Sequence, residues 1–280
     1  CQVNNVRYNV MLTLNVGGTS VNRKTIENFP GHSPIVDGTG IQNNLVCFNC
    51  DLVGGEAGWL NFGWITFQGF EVRNAWFVGV KMMGQNIIIR NNYIHDVGLS
   101  MPNAQTVGGG QGILGTNRDA VIDRNRIRLV SWQLRNTPGG NGTFWSYALY
   151  LSGLNYTITN NVMSETSGFC AQLKVGGNPL SNQYKGWSGL FANNVCAYSG
   201  NRPAITLWYS GEGGSAAGTR FINNIFFQNC QIAAIRAPGE CSSGGGGISF
   251  SNVPALGIEV RNNTYYATGD PSGLLLVDCL

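Results

Sequence analysis

Short apolar segments broken by a polar corner recur along the chain. They read "IIIRNNYI" (87–94), "VIDRNRI" (121–127), "TITNNVM" (157–163), "LFANNVC" (190–196), "RFINNIF" (220–226) and "IEVRNNTY" (258–265), with a shorter copy, "FEVRNAWF", at 70–77. β-Branched and aromatic residues on both sides of each corner favour extended backbone. Between copies lies a third apolar segment: "GVKMMG", "GILGTN", "ALYLSG", "QLKVGG", "TLWYSG" or "AIRAPG". Three strands and three turns per period of 30 to 39 residues predict one coil of a parallel β-solenoid. The pattern predicts one all-β domain over 1–280, with 1–69 as N-terminal coils and 70–280 as regular coils carrying long loops.

The corners explain the asparagines. Coils stack about 4.8 Å apart, so equivalent residues form ladders. Asn tolerates the left-handed backbone that a sharp corner needs, and a stacked Asn can bond its neighbour's amide. Asn91, Asn125, Asn160, Asn193, Asn223 and Asn262 are therefore expected to stack as a structural ladder.

Composition agrees with this picture. Only 11% of residues are charged, about half the usual share, and there are 40 glycines. The 43% apolar content is enough for a large core. A net charge of +3 permits an acidic partner without requiring one, and no basic patch interleaved with aromatics points to nucleic acid. No stretch reads as a membrane span.

The repeats resemble the right-handed parallel β-helix superfamily of pectate-lyase-like proteins. "TSVNRKTIENFPGHSPIVDGTG" is similar to the first coils of bacterial members, and "GFEVRNA", "IIIRNNYIHDVG" and "ALYLSG" to their middle coils. The resemblance spans nearly the whole chain and implies a single right-handed helix with three strands per coil and Asn-ladder corners. It implies little about activity, because such folds carry lyases, hydrolases, epimerases, adhesins and tailspikes.

Aligning the third strands on their closing Gly or Ser-Gly puts Val80, Ile113, Leu149, Leu173, Leu207 and Ile235 in an inward ladder. The next residue then points outward. That ladder reads Lys81, Leu114, Tyr150, Lys174, Trp208 and Arg236. It has two readings. As structure, the aromatics are good strand formers over which cations lie. As a site, cations and aromatics grip a sugar chain, walled by the long loops 97–112, 129–146, 175–189 and 237–257. Trp132, Trp145 and Trp187 are expected to line such a cleft, with Lys81, Trp208 and Gln172 as further substrate-binding side chains.

The outward ladder contains no Asp or Glu, so hydrolysis by a carboxylate pair is disfavoured, as is a calcium site; no metal or cofactor is expected. Metal-independent β-elimination on a uronic acid polymer needs a cation at the carboxylate, a base for the C5 proton and an acid for the leaving oxygen. Similarity to β-helix lyases that use lysine and arginine on this face implies Lys174 as base, Arg236 or Arg202 as neutraliser and Tyr150 as acid. His95-Asp96 also has the makings of a base and its orienter. Adjacent strand residues point opposite ways, so turn packing is the expectation there.

The eight cysteines and three sequons, at Asn141, Asn155 and Asn262, suit a secreted protein. Cys47 and Cys50 are expected as a disulfide or core thiols rather than metal ligands, and Cys196 as a buried core partner. Cys241 and Cys279 follow outward strands in neighbouring coils and are the candidate disulfide. The expected partner is an acidic polysaccharide. The alternative is a structural or adhesive fibre subunit: no amphipathic capping helix is evident, and uncapped ends would associate head to tail.

Overall fold

A computed structural model describes residues 11–42, 44–50, 61–98, 109–132, 145–175, 186–200, 203–209, 214–229, 247–251, 253 and 257–266, and the backbone of 7–8 and 275–278. The chain is nearly all β, and its strands pair in parallel.

The pairings fall into three rows. The first face runs through Leu12–Leu14, Val46–Phe48, the start of Val78–Arg90, Gln111–Arg118, the start of Tyr147–Thr159, Phe169–Val175, Ile205–Tyr209, Ile248–Ser251 and Leu275–Asp278. The second uses Lys24–Glu27, Gly63–Gln68, the ends of the two long strands, Val121–Asp123, Trp187–Ala192, Arg220–Ile222 and Glu259–Arg261. The third runs from Arg7–Tyr8 through Ile35–Asp37, Glu71–Arg73, Tyr93–Val97, Arg126–Val130, Val162–Thr166, Val195–Ser199 and Ile225–Phe227 to Thr264–Tyr266.

Alternation fills the interior. Val46, Val80, Ile113, Leu149, Ala171, Ile205 and Ile248 are successive register partners on the first face, and all are buried. Each of the Val, Ile and Leu side chains among them contributes about 1.5–3 kcal/mol by leaving water. The pairing corrects the expected ladder: Leu149 meets Ala171, not Leu173, and Leu207 meets Phe250, not Ile235. Tyr147–Thr159 runs straight through Ser152-Gly153 onto the second face, so Ser-Gly does not close a strand there.

The Asn ladder exists, built from the second residue of each corner. The backbone N–H and Nδ2 of Asn92 both donate to Asn125 Oδ1, at 3.1 and 3.0 Å. Asn125 does the same to Asn161, Asn161 to Asn194, Asn194 to Asn224, and Asn224 to Asn263. Asn125 thus aligns with Asn92, and Arg124 takes the place of Asn91. The residue before each ladder Asn has positive φ: Asn91, Arg124, Asn160, Asn193, Asn223 and Asn262, at 54–58°. One asparagine turns the corner and the next bonds across coils.

A second left-handed stack turns the third face into the first. Asn74, Asp96, Leu129, Glu165, Tyr198 and Gln228 all have φ between 47° and 57°. For the non-Asn members this costs roughly 1–2 kcal/mol each, offset by the buried residue that follows, such as Val97, Val130 or Thr166. Two disulfides join Cys47 to Cys50 and Cys170 to Cys196, with Cα atoms 5.7 and 6.0 Å apart. The second ties a first-face strand to a third-face strand through the core, where Cys196 is fully buried.

Candidate functional site

The exterior of the first face carries two adjacent outward ladders, read from the register. One runs Cys47, Lys81, Leu114, Tyr150, Gln172, Thr206 and Ser249. The other, two residues further along each strand, runs Met83, Thr116, Ser152, Lys174, Trp208 and Ser251. Lys174 therefore stands beside Ser152 and Trp208, with Tyr150 diagonal to it. The place expected for Arg236 next to Trp208 belongs to Ser251. Arg236, Arg202, Cys241 and Cys279 lie outside the described residues.

A cleft of about 140 Å³ opens where these ladders meet, lined by Leu114, Gly115, Thr116, Tyr150, Leu151, Ser152 and Lys174. Lys174 Nζ lies 5.8 Å from the Trp208 ring centroid, a cation–π contact that holds the amine over an apolar plane. Ser152 Oγ donates to Thr116 Oγ1 at 2.8 Å. Tyr150 stacks on Tyr147 at 4.9 Å, and Tyr147 on Phe169 at 5.7 Å. Burial pushes the Tyr150 phenol above its ordinary ionisation range, so at neutral pH it is a proton donor rather than a base. Gln172 faces outward yet is 3% exposed, and its Oε1 has no hydrogen-bond donor. A buried acceptor left unsatisfied suits a donor that arrives with a ligand.

The structure brings Tyr150 and Lys174 into one cleft, with Gln172 and Trp208 on adjoining rungs. Lys81 is one rung beyond Leu114. Trp145 is 46% exposed and immediately precedes the Tyr147 strand. Trp132 is half-buried at the end of a third-face strand and is not part of the cleft lining. Trp187 is a clear correction. It opens a second-face strand, is wholly buried and stacks on Tyr156 at 6.0 Å, so it is core. Thr116 and Ser152 are hidden in the sequence pattern, because Ser-Gly has the look of a turn and here continues a strand.

The third face is a different surface. Arg73 bridges Asp37 and Glu71, at 2.9 Å to each. His95 bridges Glu71 at 3.2 Å and Asp96 at 2.6 Å, and its ring stacks on Tyr93 at 4.1 Å. Asp96 reaches His95 because its left-handed backbone breaks the alternation, correcting the expectation that the two point apart. Arg128 pairs with Glu165 at 2.6 Å, and Arg126 covers Tyr93. Burial alone would raise the Asp37 carboxyl, but hydrogen bonds from Thr39, Arg73 and Asn74 outweigh it and hold the group well below the carboxylate range.

No protein family matches the chain, and no curated protein matches it. Among solved structures it is similar to an alginate lyase from Paenibacillus sp. strain FPU-7, with 14% identity, 91% of this chain and 85% of that one covered, and a TM-score of 0.49. It is also similar to the Dettilon tailspike protein (13% identity, 87% and 53% covered, TM-score 0.40). The catalytic domain of a GH87 α-1,3-glucanase follows at 14% identity, 98% and 62% covered, and a TM-score of 0.26.

Proposed function

We propose that the first face binds an acidic polysaccharide and cleaves it by metal-independent β-elimination. The observation that carries this reading is the shared cleft. Lys174 and Tyr150 line it together, and no carboxylate is among its described lining residues. Lys174 takes the C5 proton of a uronate. Tyr150, kept protonated by burial, returns a proton to the leaving glycosidic oxygen. Arg236 or Arg202 is assigned to neutralise the uronate carboxylate. Lys81, Gln172, Trp208 and Trp145 hold neighbouring sugars, the aromatics by stacking. The reading includes a right-handed parallel β-helix with three strands per coil as a single domain, and secretion, in keeping with the two disulfides.

The test is a panel of uronic acid polymers, followed by the ultraviolet absorbance of the unsaturated product, with Lys174→Ala beside the parent. Activity in the parent and its loss in the variant is the expected result. Activity that survives Lys174→Ala overturns the mechanism. Binding without cleavage, lost in Trp208→Ala, makes the chain a carbohydrate binder. Neither activity nor binding, together with end-to-end assembly, makes it a fibre subunit.

A further inference from the structure

We propose that the cleft carries a second chemistry, acyl transfer, with Ser152 as nucleophile and Lys174 as its base, acting on O-acyl esters of sugars. The sugar in this substrate class rests on the carbohydrate reading above. The dyad itself rests on the register.

Three consecutive rungs supply it. Thr116 pairs with Ser152, and Ser152 with Lys174, on adjacent parallel strands. Such strands lie about 4.8 Å apart, a gap that a lysine stem spans. All three side chains line the cleft. Thr116 and Ser152 are more than nine-tenths buried, so their hydroxyls lie at its floor rather than in bulk water. The Ser152 hydroxyl donates to Thr116 at 2.8 Å, which fixes Oγ in place. A hydroxyl hydrogen rotates about its C–O bond, so it can turn to an approaching amine without moving Oγ. The Lys174 amine rests over Trp208, and in the proposed step rotation about its stem brings it to Ser152 on the adjacent strand. Nucleophile–base pairs are commonly looser before substrate binds. Tyr150 lines the same cleft with an O–H that burial keeps protonated, a donor for a developing oxyanion.

The atoms balance without a cofactor. Ser152 Oγ adds to the acyl carbonyl carbon and its proton passes to Lys174 Nζ. The intermediate collapses by breaking the acyl carbon–sugar oxygen bond, and that oxygen takes the proton from Lys174. Water then adds to the acyl-serine, losing a proton to Lys174. The acid departs as Ser152 Oγ recovers a proton from Lys174. The net reaction is ester plus water to acid plus alcohol.

The experiment treats the full chain with a fluorophosphonate and locates the adduct by peptide mapping. Hydrolysis of para-nitrophenyl acetate is followed in the parent, Ser152→Ala and Lys174→Ala, with circular dichroism as a folding control. The expected result is an adduct on Ser152 and ester hydrolysis that falls at least about a hundredfold in either variant. An unmodified Ser152 in the parent overturns the dyad without depending on any variant's folding. So does hydrolysis that persists in Ser152→Ala. Elimination on uronate polymers without the adduct removes the dyad and keeps the lyase reading. The adduct without elimination does the reverse.

Discussion

The first and third faces share one backbone plan and use their outward positions differently. On the third face the charged groups are arranged in pairs: Arg73 with Asp37 and Glu71, His95 with Glu71 and Asp96, and Arg128 with Glu165. Arg73–Asp37, His95–Glu71 and Arg128–Glu165 each join neighbouring strands. On the first face Lys174 is set among hydroxyls and aromatics and lines a cleft. Ion pairs between neighbouring strands hold a sheet together, whereas side chains that converge on a cleft stand where a ligand can reach them.

The largest effect is expected from Lys174→Ala, which should lower cleavage of the proposed substrate at least about a hundredfold. It also loses the cation–π contact with Trp208, so unfolding by denaturant should shift by no more than about 1 kcal/mol. Asp37→Ala should do the opposite. It removes a fully buried carboxylate that serves Arg73, Thr39 and Asn74, and should cost about 3 kcal/mol with cleavage per folded molecule unchanged.

An acid titration of unfolding, comparing the parent with Asp37→Asn, tests the same group. The folded carboxyl ionises well below the ordinary carboxylate range, so its stabilisation is complete above about pH 4. As pH falls towards the folded value that contribution is lost, and the gap between parent and variant should close. A gap constant down to pH 2 would remove the electrostatic account. The smallest effect is expected from Glu165→Gln. Its pair with Arg128 is about a quarter exposed on each side, and the loss should be about 0.5–1 kcal/mol. If Glu165→Gln lowers cleavage instead, the separation of the two faces fails.

The nearly all-β, parallel character was legible because the corners repeat. A strand, an Asn pair and another strand recur closely enough to expose the repeat. Which asparagine stacks was not legible: Arg124-Asn125 shows that the second position is the bonded one, a distinction visible only through the hydrogen bonds. The corner occupied by Asp96, Leu129, Glu165, Tyr198 and Gln228 has no residue-type signature, because the strain is compensated by burial of the following residue. The candidate site was half legible. Lys174, Tyr150 and Trp208 do face outward on one sheet, but the Ser152-Gly153 junction shifted the alignment by two residues and hid Ser152 itself. Trp187 was misplaced because a tryptophan after a long loop looks the same in sequence whether it enters a core or a cleft.

The Cys170–Cys196 disulfide has a mechanical consequence. Strands that pair only with their neighbours in a row can be peeled from one end, one strand at a time. Pulled from the C-terminal side, the paired strands beyond Cys196 would peel away in order. The segment between the two cysteines could not be paid out, because its ends are joined inside the core. Its 26-residue separation withholds roughly 90 Å of extended chain until the bond is reduced. That segment contains the whole strand end bearing Lys174, so the part of the surface proposed to meet substrate is also the part that tension straightens last.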